Sequence, residues 1–316
     1  MRQRLKNAVE TVAAACPTVV AMPARWYVRN TLWHQGTRRL SIALDVNQRL
    51  RPHRFKTETR FGFEISGSTE DLVQRYIYVF GVWEPHLTYW IQDRLKPGDT
   101  FVDVGANIGY FMLLAASCVG QNGWCVAIEA SPSIFDLLNE NLELNNIGSR
   151  VRTVNLAASD QDGTLTVYGG PSGNLGLTTM VPNHDLPIET TINAKPLKDI
   201  LTEQEIGGAR LIKIDVEGLE GPVVRGFLPI LGSCRKDLEI VLEVNGQATP
   251  EGEKATDIVR RLGDQGFHTY EIVNDDQEDP YLKAIKAPQR PRRIHEDAGF
   301  DHEADLIFSR VDASCL

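Results

Sequence analysis

The chain predicts an α/β fold: a mostly parallel sheet of seven strands with helices on both faces. Three observations carry this. Short apolar runs at 100–104, 124–129, 151–156, 210–214 and 238–244 alternate with segments of helical periodicity at 107–119, 132–146, 196–205 and 220–231, as successive right-handed βαβ crossovers require. Residues 100–110, TFVDVGANIGY, join an apolar run to a helical run through a glycine turn, the usual start of a ligand site in such sheets. The chain has 316 residues and 42% hydrophobic content, enough for one large core plus an appendage.

Taken in order, residues 1–82 form an N-terminal extension, helical at first and rich in arginine over 51–60. Arg2, Arg4 and Lys6 precede an uncharged stretch at 11–24, the outline of a signal peptide. Glu10, Pro17 and Pro23 weaken it, no A-x-A site follows, and it is too short to span a bilayer. A helix that packs loosely or touches a membrane surface is the better reading. A strand at 60–66 and helices at 71–79 and 84–95 lead into the domain proper, residues 83–316. The stretch 157–195 is too long for a crossover loop, so its strand-like runs at 164–168 and 189–193 predict a hairpin inserted over the ligand site. A helix at 257–265 and strands at 268–273 and 305–309 complete the sheet. The charged stretch 275–301, with Pro280, Pro288 and Pro291, reads as a mobile loop and potential lid.

The glycine turn is informative about its ligand. Gly105 permits the tight exit from the strand, and Gly109 lets the helix pack closely with its first amides open. A dinucleotide site wants G-x-G-x-x-G around a pyrophosphate. Here Asp103 comes first, then Gly105, Asn107 and Gly109. A carboxylate at the strand tip repels a pyrophosphate and favours a cationic ligand such as S-adenosylmethionine. The alternative is an ordinary glycine turn capping a buried strand.

The other strand tips add to this. Glu129 lies about twenty residues past the turn, where an acid holds ribose hydroxyls. It also precedes Ser131 and Pro132, a good helix N-cap and first position, and both roles are compatible. Ala157 and Ala158 leave room for a flat adenine ring. Asp160 either accepts from the adenine amino group or starts the Asp162-Gly163 hairpin turn. LIKIDVEG sets Lys213, Asp215 and Glu217 at one strand tip, although Glu217 and Glu220 equally suit a helix N-terminus.

These segments together resemble the FkbM-type methyltransferases: GDTFVDVGANIGYF, AIEASPSIFDLLNENLELNN, NLAASDQDG, the loop from Asn174 through Gly176 to Thr179, PLKDIL and LIKIDVEGLE, in that order. The resemblance covers 83–245, roughly half of the chain. Ala130 departs from a more usual proline, and the part before Trp83 matches weakly. The resemblance implies a Rossmann-like class I methyltransferase fold, S-adenosyl-L-methionine as methyl donor, and O-methylation of a hydroxyl on a sugar, glycan, lipid or secondary metabolite. The residues then assigned to the cofactor are Glu84, Asp103, Gly105, Ala106, Asn107, Gly109, Tyr110, Glu129, Ala130, Ser131, Ala157, Ala158, Asp160 and Asp215.

In-line methyl transfer needs an aligned acceptor oxygen and a group to receive its proton. Asp215 is the first candidate, as base or positioner, followed by Glu217 and Lys213. Lys213 faces the same side of its strand as Asp215 and equally suits an ion pair with it. His184, in the inserted segment, is a further candidate base or a solvated loop residue. Glu243 and Asn245 lie at the fifth tip. Asp215, Glu217 and Glu243 invite a metal, but nothing requires one, and none is assigned.

A net charge of −9 speaks against a nucleic-acid partner. Five scattered cysteines without a C-x-x-C pair fit reduced thiols in a cytoplasmic enzyme rather than a zinc site. A small-molecule or glycan acceptor is expected, with no transmembrane segment; homo-oligomerisation stays open. Two rival readings are a nicotinamide-dependent oxidoreductase, which lacks its glycine fingerprint here, and an inactive methyltransferase-like binding module.

Overall fold

The computed structural model describes residues 17–31, 36–170, 174–183, 185–244, 253–272, 278–294 and 304–316. Its centre is an eight-stranded sheet. The strands are β3 (Thr100–Val104), β4 (Trp124–Ile128), β5 (Val151–Val154), β9 (Ala209–Ile214), β10 (Glu239–Val244), β11 (His268–Ile272), β12 (Arg292–Arg293) and β13 (Ala304–Ser309). Their order is β12-β11-β13-β10-β9-β3-β4-β5. The five strands from β5 to β10 are mutually parallel, and β13 runs antiparallel to both its neighbours. Seven strands stand where the sequence predicts them; the eighth is the two-residue edge strand β12.

Strand alternation divides the core. Phe101, Cys125, Leu211 and Val241 join the buried cluster on one face, while Val102, Val126, Ile212 and Ile240 join the cluster on the other. The first face carries α3 (Leu72–Phe80), α4 (Pro85–Arg94), α5 (Tyr110–Val119) and α6 (Pro132–Leu144). The second carries α7 (Leu197–Ile200), α8 (Glu203–Gly208), α9 (Glu220–Phe227) and α10 (Ala255–Gly263). One helix was expected at 196–205; α8 instead starts afresh, because Thr202 and Glu205 form a reciprocal capping box.

The N-terminal part holds two helices, α1 (Pro17–Asn30) and α2 (Gly36–Leu50), and a hairpin of β1 (Arg54–Glu58) and β2 (Glu64–Ser68). Its Val28, Leu44, Phe55 and Ile65 share the first-face core. The single strand expected at 60–66 is a hairpin because Phe55 and Thr57 are buried in alternation with charged neighbours, while residues 59–63 turn, with Gly62 at φ 82°.

The insertion forms a separate three-stranded sheet. β8 (Ile188–Pro196) pairs antiparallel with β7 (Gly163–Tyr168) and parallel with β6 (Ala157–Ser159). The expected loop at 275–301 contains, in its described part, helix α11 (Glu278–Lys286) and strand β12. Pro280 is tolerated in the first turn of that helix, and Tyr281, Leu282 and Ile285 bury its inner face. Among the described residues no helix is long and apolar enough to cross a membrane.

Candidate active site

Sheet order reverses between β3 and β9, so crossovers leave in opposite directions and open a crevice at the carboxyl tips, where ligands of open α/β sheets bind. A cavity of about 470 Å³ lies there. The tip of β3 forms its floor. Gly105 (φ 85°) turns so tightly that a Cβ would stand 1.7 Å from the Asp215 carbonyl oxygen, so only glycine fits. Gly105 and Ala106 donate backbone N–H bonds to the Ile128 carbonyl, and Asp215 donates its own to Val104. Gly109 (φ 89°) caps α5, and a Cβ there would meet Leu138 at 2.7 Å.

Glu129 ties the floor to the next tip. One carboxylate oxygen accepts from the Asn107 amide and the other from the Ser131 amide, both at 2.9 Å. Burial pushes its pKa up to about 7, against the opposing pull of these two N–H bonds. Asn107 sits in the left-handed region (φ 48°) with its side chain accepting from Ile108 N–H. Ser131 caps α6 and donates its hydroxyl to Glu189 on β8, which fastens the inserted sheet beside the cavity.

At the tip of β9, Lys213 Nζ lies 2.7 Å from the Asp215 carboxylate and 5.0 Å from the Phe111 ring centre. Burial alone would lower the Lys213 pKa, but Asp215, Asp103 and Glu84 around it hold it above the ordinary value. Asp215 is shielded, which favours its neutral form, yet Lys213 and a hydrogen bond from Glu243 bring its pKa below the ordinary one. Glu243 goes the other way: burial and the neighbouring Asp215 charge raise it well above a usual carboxylate. The two carboxyls therefore titrate as a pair, with charge favoured on Asp215 and the proton favoured on Glu243. Glu217 (φ 51°) completes a cluster in which one ligand atom from each of Asp215, Glu217 and Glu243 lies within 4.8 Å of the others.

Eleven of the residues assigned to the cofactor line the cavity: Glu84, Gly105, Ala106, Asn107, Tyr110, Glu129, Ala130, Ser131, Ala157, Ala158 and Asp215. Lys213 and Glu217 line it too. Asp103, Gly109 and Asp160 do not. Asp103 points from β3 toward the first-face core, is 1% exposed, and has neither carboxylate oxygen hydrogen-bonded; burial pushes its pKa up to about 7. It faces Lys213 across the β3–β9 register and acts on the site through charge, not contact. Asp160 is held by Arg225 at 2.8 Å instead of facing an adenine. His184 lies outside the described residues, as does Asn245.

Sequence reasoning missed much of the upper wall. Trp83, Leu72 and Val73 come from the entry to α4 and from α3, Phe111 from α5, Asp305 from β13, and Leu175, Leu177 and Met180 from the inserted segment. Glu220 does not line the cavity; it accepts from the Val216 and Gly218 amides and fixes the turn that presents Glu217. Phe111, Leu175 and Leu177 lie within the family-like segments, but no local motif marks Leu72, Val73, Met180 or Asp305, which sheet order and an insertion bring to the cavity.

The lining tests the cofactor. Six carboxylates and a single lysine are its charged side chains. That suits a ligand carrying a sulfonium and an ammonium, and disfavours a pyrophosphate. Glu129 uses one acceptor site on each oxygen for the loop and keeps others for ribose hydroxyls. Ala157 and Ala158 put small side chains on the cavity wall. The residues fit S-adenosylmethionine.

Comparison with known proteins agrees. The family model for the methyltransferase FkbM domain matches residues 103–269. The chain is 32% identical over 149 residues to Methyltransferase 1 of Beauveria bassiana, covering 42% of this chain and 59% of that protein. It is 31% identical over 164 residues to the 31-O-demethyl-FK506 methyltransferase FkbM of Streptomyces tacrolimicus, covering 42% and 61%. The chain thus spans about three fifths of the length of these curated relatives. Among solved structures it aligns with the precorrin-6y C5,15-methyltransferase of Geobacter metallireducens at 14% identity and a TM-score of 0.39, over 71% of this chain and 86% of that one. The family match spans more than half of the chain and coincides with the strand-tip site, and the chain belongs to the S-adenosylmethionine-dependent FkbM methyltransferase domain family.

Proposed function

We propose that this protein transfers a methyl group to a hydroxyl of a small molecule or glycan. The observation that carries this is the Lys213–Asp215–Glu243 arrangement at the end of an acidic, otherwise largely apolar cavity. When bound, S-adenosylmethionine supplies an electrophilic methyl group whose transfer leaves a neutral thioether. Glu129 orients the ribose, and Ala157 and Ala158 flank the base. Glu84 and Asp215 receive the amino-acid end of the ligand and the positive charge beside it.

The acceptor oxygen forms the new bond to carbon as the carbon–sulfur bond breaks and its electron pair stays on sulfur. The hydroxyl proton must leave, and Asp215, the ionised member of the pair, receives it. Before the transfer, Lys213 holds the ionised Asp215 in place through their ion pair. Trp83, Phe111, Leu177 and Met180 supply apolar surface that keeps water from the reacting centre. The cytoplasm, where the donor is made, is the matching compartment.

The test is calorimetric titration of S-adenosylmethionine and S-adenosylhomocysteine into the protein, followed by a screen of hydroxylated acceptors with isotopically labelled methyl donor. Stoichiometric binding, lost in Glu129→Ala, and label recovered in a base-stable methyl ether are expected. A folded wild type that binds neither compound sinks the reading. Label appearing only on nitrogen or carboxylate oxygen sinks the hydroxyl assignment while leaving methyl transfer intact.

A further inference from the structure

Asn174 and Gly176 of the inserted segment line the cavity, yet neither takes part in the chemistry above. Asn174 stands just before the short turn Leu175–Leu177, where an asparagine side chain ordinarily accepts from the amides that follow it. It makes no such bond. The Leu175 amide is taken instead by Asp71, which reaches it from the start of α3 at 2.6 Å. The Asn174 side chain is thereby released from holding its own turn.

Within the protein the released group finds no partner. Asn174 Oδ1 is buried and accepts no hydrogen bond. A buried acceptor without a donor is unfavourable, and in a cavity wall a ligand can supply the missing bond. Gly176 marks the space beside it. A Cβ there would lie 3.0 Å from Asn174 Oδ1, 3.4 Å from Val73 Cγ2 and 3.9 Å from Asn107 Nδ2. Glycine keeps that space clear of a side chain. Asn107 spends its Oδ1 on the Ile108 amide and turns Nδ2 toward the same space. An acceptor from the insertion and a donor from the β3 loop therefore converge on the α3 side of the cavity.

One part of S-adenosylmethionine needs both. Its adenine and ribose are given to Ala157, Ala158 and Glu129. The other end carries an ammonium, which only donates, and a carboxylate, which only accepts. That carboxylate enters a cavity lined by six carboxylates, whose single lysine is already paired with Asp215. An uncharged N–H donor beside the loop answers its need.

We propose that Asn174 is a cofactor-binding residue: its Oδ1 accepts from the ammonium of S-adenosylmethionine while Asn107 Nδ2 donates to the carboxylate. The turn Leu175–Leu177 thus closes on the amino-acid end of the cofactor. The assignment rests on the cofactor reading above and on no particular methyl acceptor.

The test is calorimetric titration of S-adenosylhomocysteine and of 5′-methylthioadenosine, which keeps the adenine, ribose and thioether and lacks the amino-acid end. Asn174→Ala should weaken S-adenosylhomocysteine binding roughly 10-fold or more, as loss of a hydrogen bond to a charged group does, and leave 5′-methylthioadenosine binding as in the wild type. Asn174→Ser should show the same split, because serine suits the position before a turn but removes the amide. Retained 5′-methylthioadenosine binding reports that each variant is folded. Equal weakening of both ligands overturns the proposal, as does undiminished affinity for S-adenosylhomocysteine in both variants. Folded wild type that binds neither ligand overturns the cofactor reading itself, and this proposal with it.

Discussion

Asp215 and Glu243 are two carboxyl groups of like chemistry placed in unlike surroundings. Lys213 lies against one of them, which favours the charge on Asp215 and the proton on Glu243. Asp215→Asn keeps the shape and loses the charge; kcat should fall by roughly 10²–10⁴, while the affinity for S-adenosylhomocysteine changes far less. A variant with wild-type turnover removes Asp215 from the mechanism. Asp103 and Glu129 carry a second consequence. Both are raised to about 7 in the folded protein, chiefly by burial, from ordinary values of 3.8 and 4.5. Between the ordinary and raised values the folded state binds more protons than the unfolded one, so these groups lower the stability of the ligand-free protein as pH climbs to about 7. A cationic ligand reverses the preference, because it favours the ionised carboxylates. Its affinity should rise with pH up to about 7 and then level off, with protons released on binding. Calorimetry in buffers of different ionisation heat reads that release; a flat affinity from about pH 5.5 to about pH 8 contradicts it.

Single residues hold whole elements in place at this site. Asp71 is the clearest. One carboxylate oxygen caps α3 by accepting from Gln74 N–H, and the other accepts from the Leu175 amide at 2.6 Å. The first bond fixes the helix that supplies Leu72 and Val73 to the cavity; the second fastens the turn of residues 175–177 that closes over it. Asp71→Ala should cost about 1–2 kcal/mol of stability, read by chemical denaturation. It should also raise KM for the acceptor more than it lowers kcat, since the wall is loosened while the β9 tip is untouched. An unchanged KM contradicts the tether. The inserted sheet is tied on its other side by Glu189, which accepts from the Ser131 hydroxyl and the Ser133 amide at the start of α6. The insertion is therefore bonded to both flanks of the cavity.

At the scale of the molecule, the two ends of the chain meet over the first face of the sheet. Tyr281 of α11 is 1% exposed, packs edge-on to Tyr76 with ring centres 4.9 Å apart, and donates its hydroxyl to the Val82 carbonyl at 2.6 Å. It joins a C-terminal helix to α3 and to the segment that carries Glu84 into the cavity. Tyr281→Ala should destabilise the fold by about 3–5 kcal/mol. Tyr281→Phe should cost about 1–2 kcal/mol, because the Val82 carbonyl is left buried without its donor. Thermal melts of both variants check this; a Tyr281→Phe variant as stable as the wild type would mean that the hydroxyl contributes nothing. Charge is also distributed at this scale, with a cationic N-terminal part on an acidic body.

Local sequence carries the parts of this protein that depend on near neighbours. Each parallel strand is a short apolar run, and the Asp103, Gly105, Asn107, Gly109 spacing dictates a strand, a tight turn and a helix within eleven residues. For that reason the sheet, its crossovers, the floor of the cavity and the Glu129 tip were legible without coordinates. Tertiary structure decided what depends on groups far apart in the chain. Strand order alone set Asp103 opposite Lys213 and away from the cavity wall, where spacing suggests a direct contact. Arg225, 65 residues distant, holds Asp160, which does not line the cavity. The helix within 275–301 emerged because Tyr281 and Ile285 find a core to cover, although their charged, proline-containing surroundings read as loop. Proton sharing between Asp215 and Glu243 likewise exists only once β9 and β10 lie side by side. Periodicity and turn chemistry act over a few residues. Burial and charge act through space, and only the folded chain defines that space.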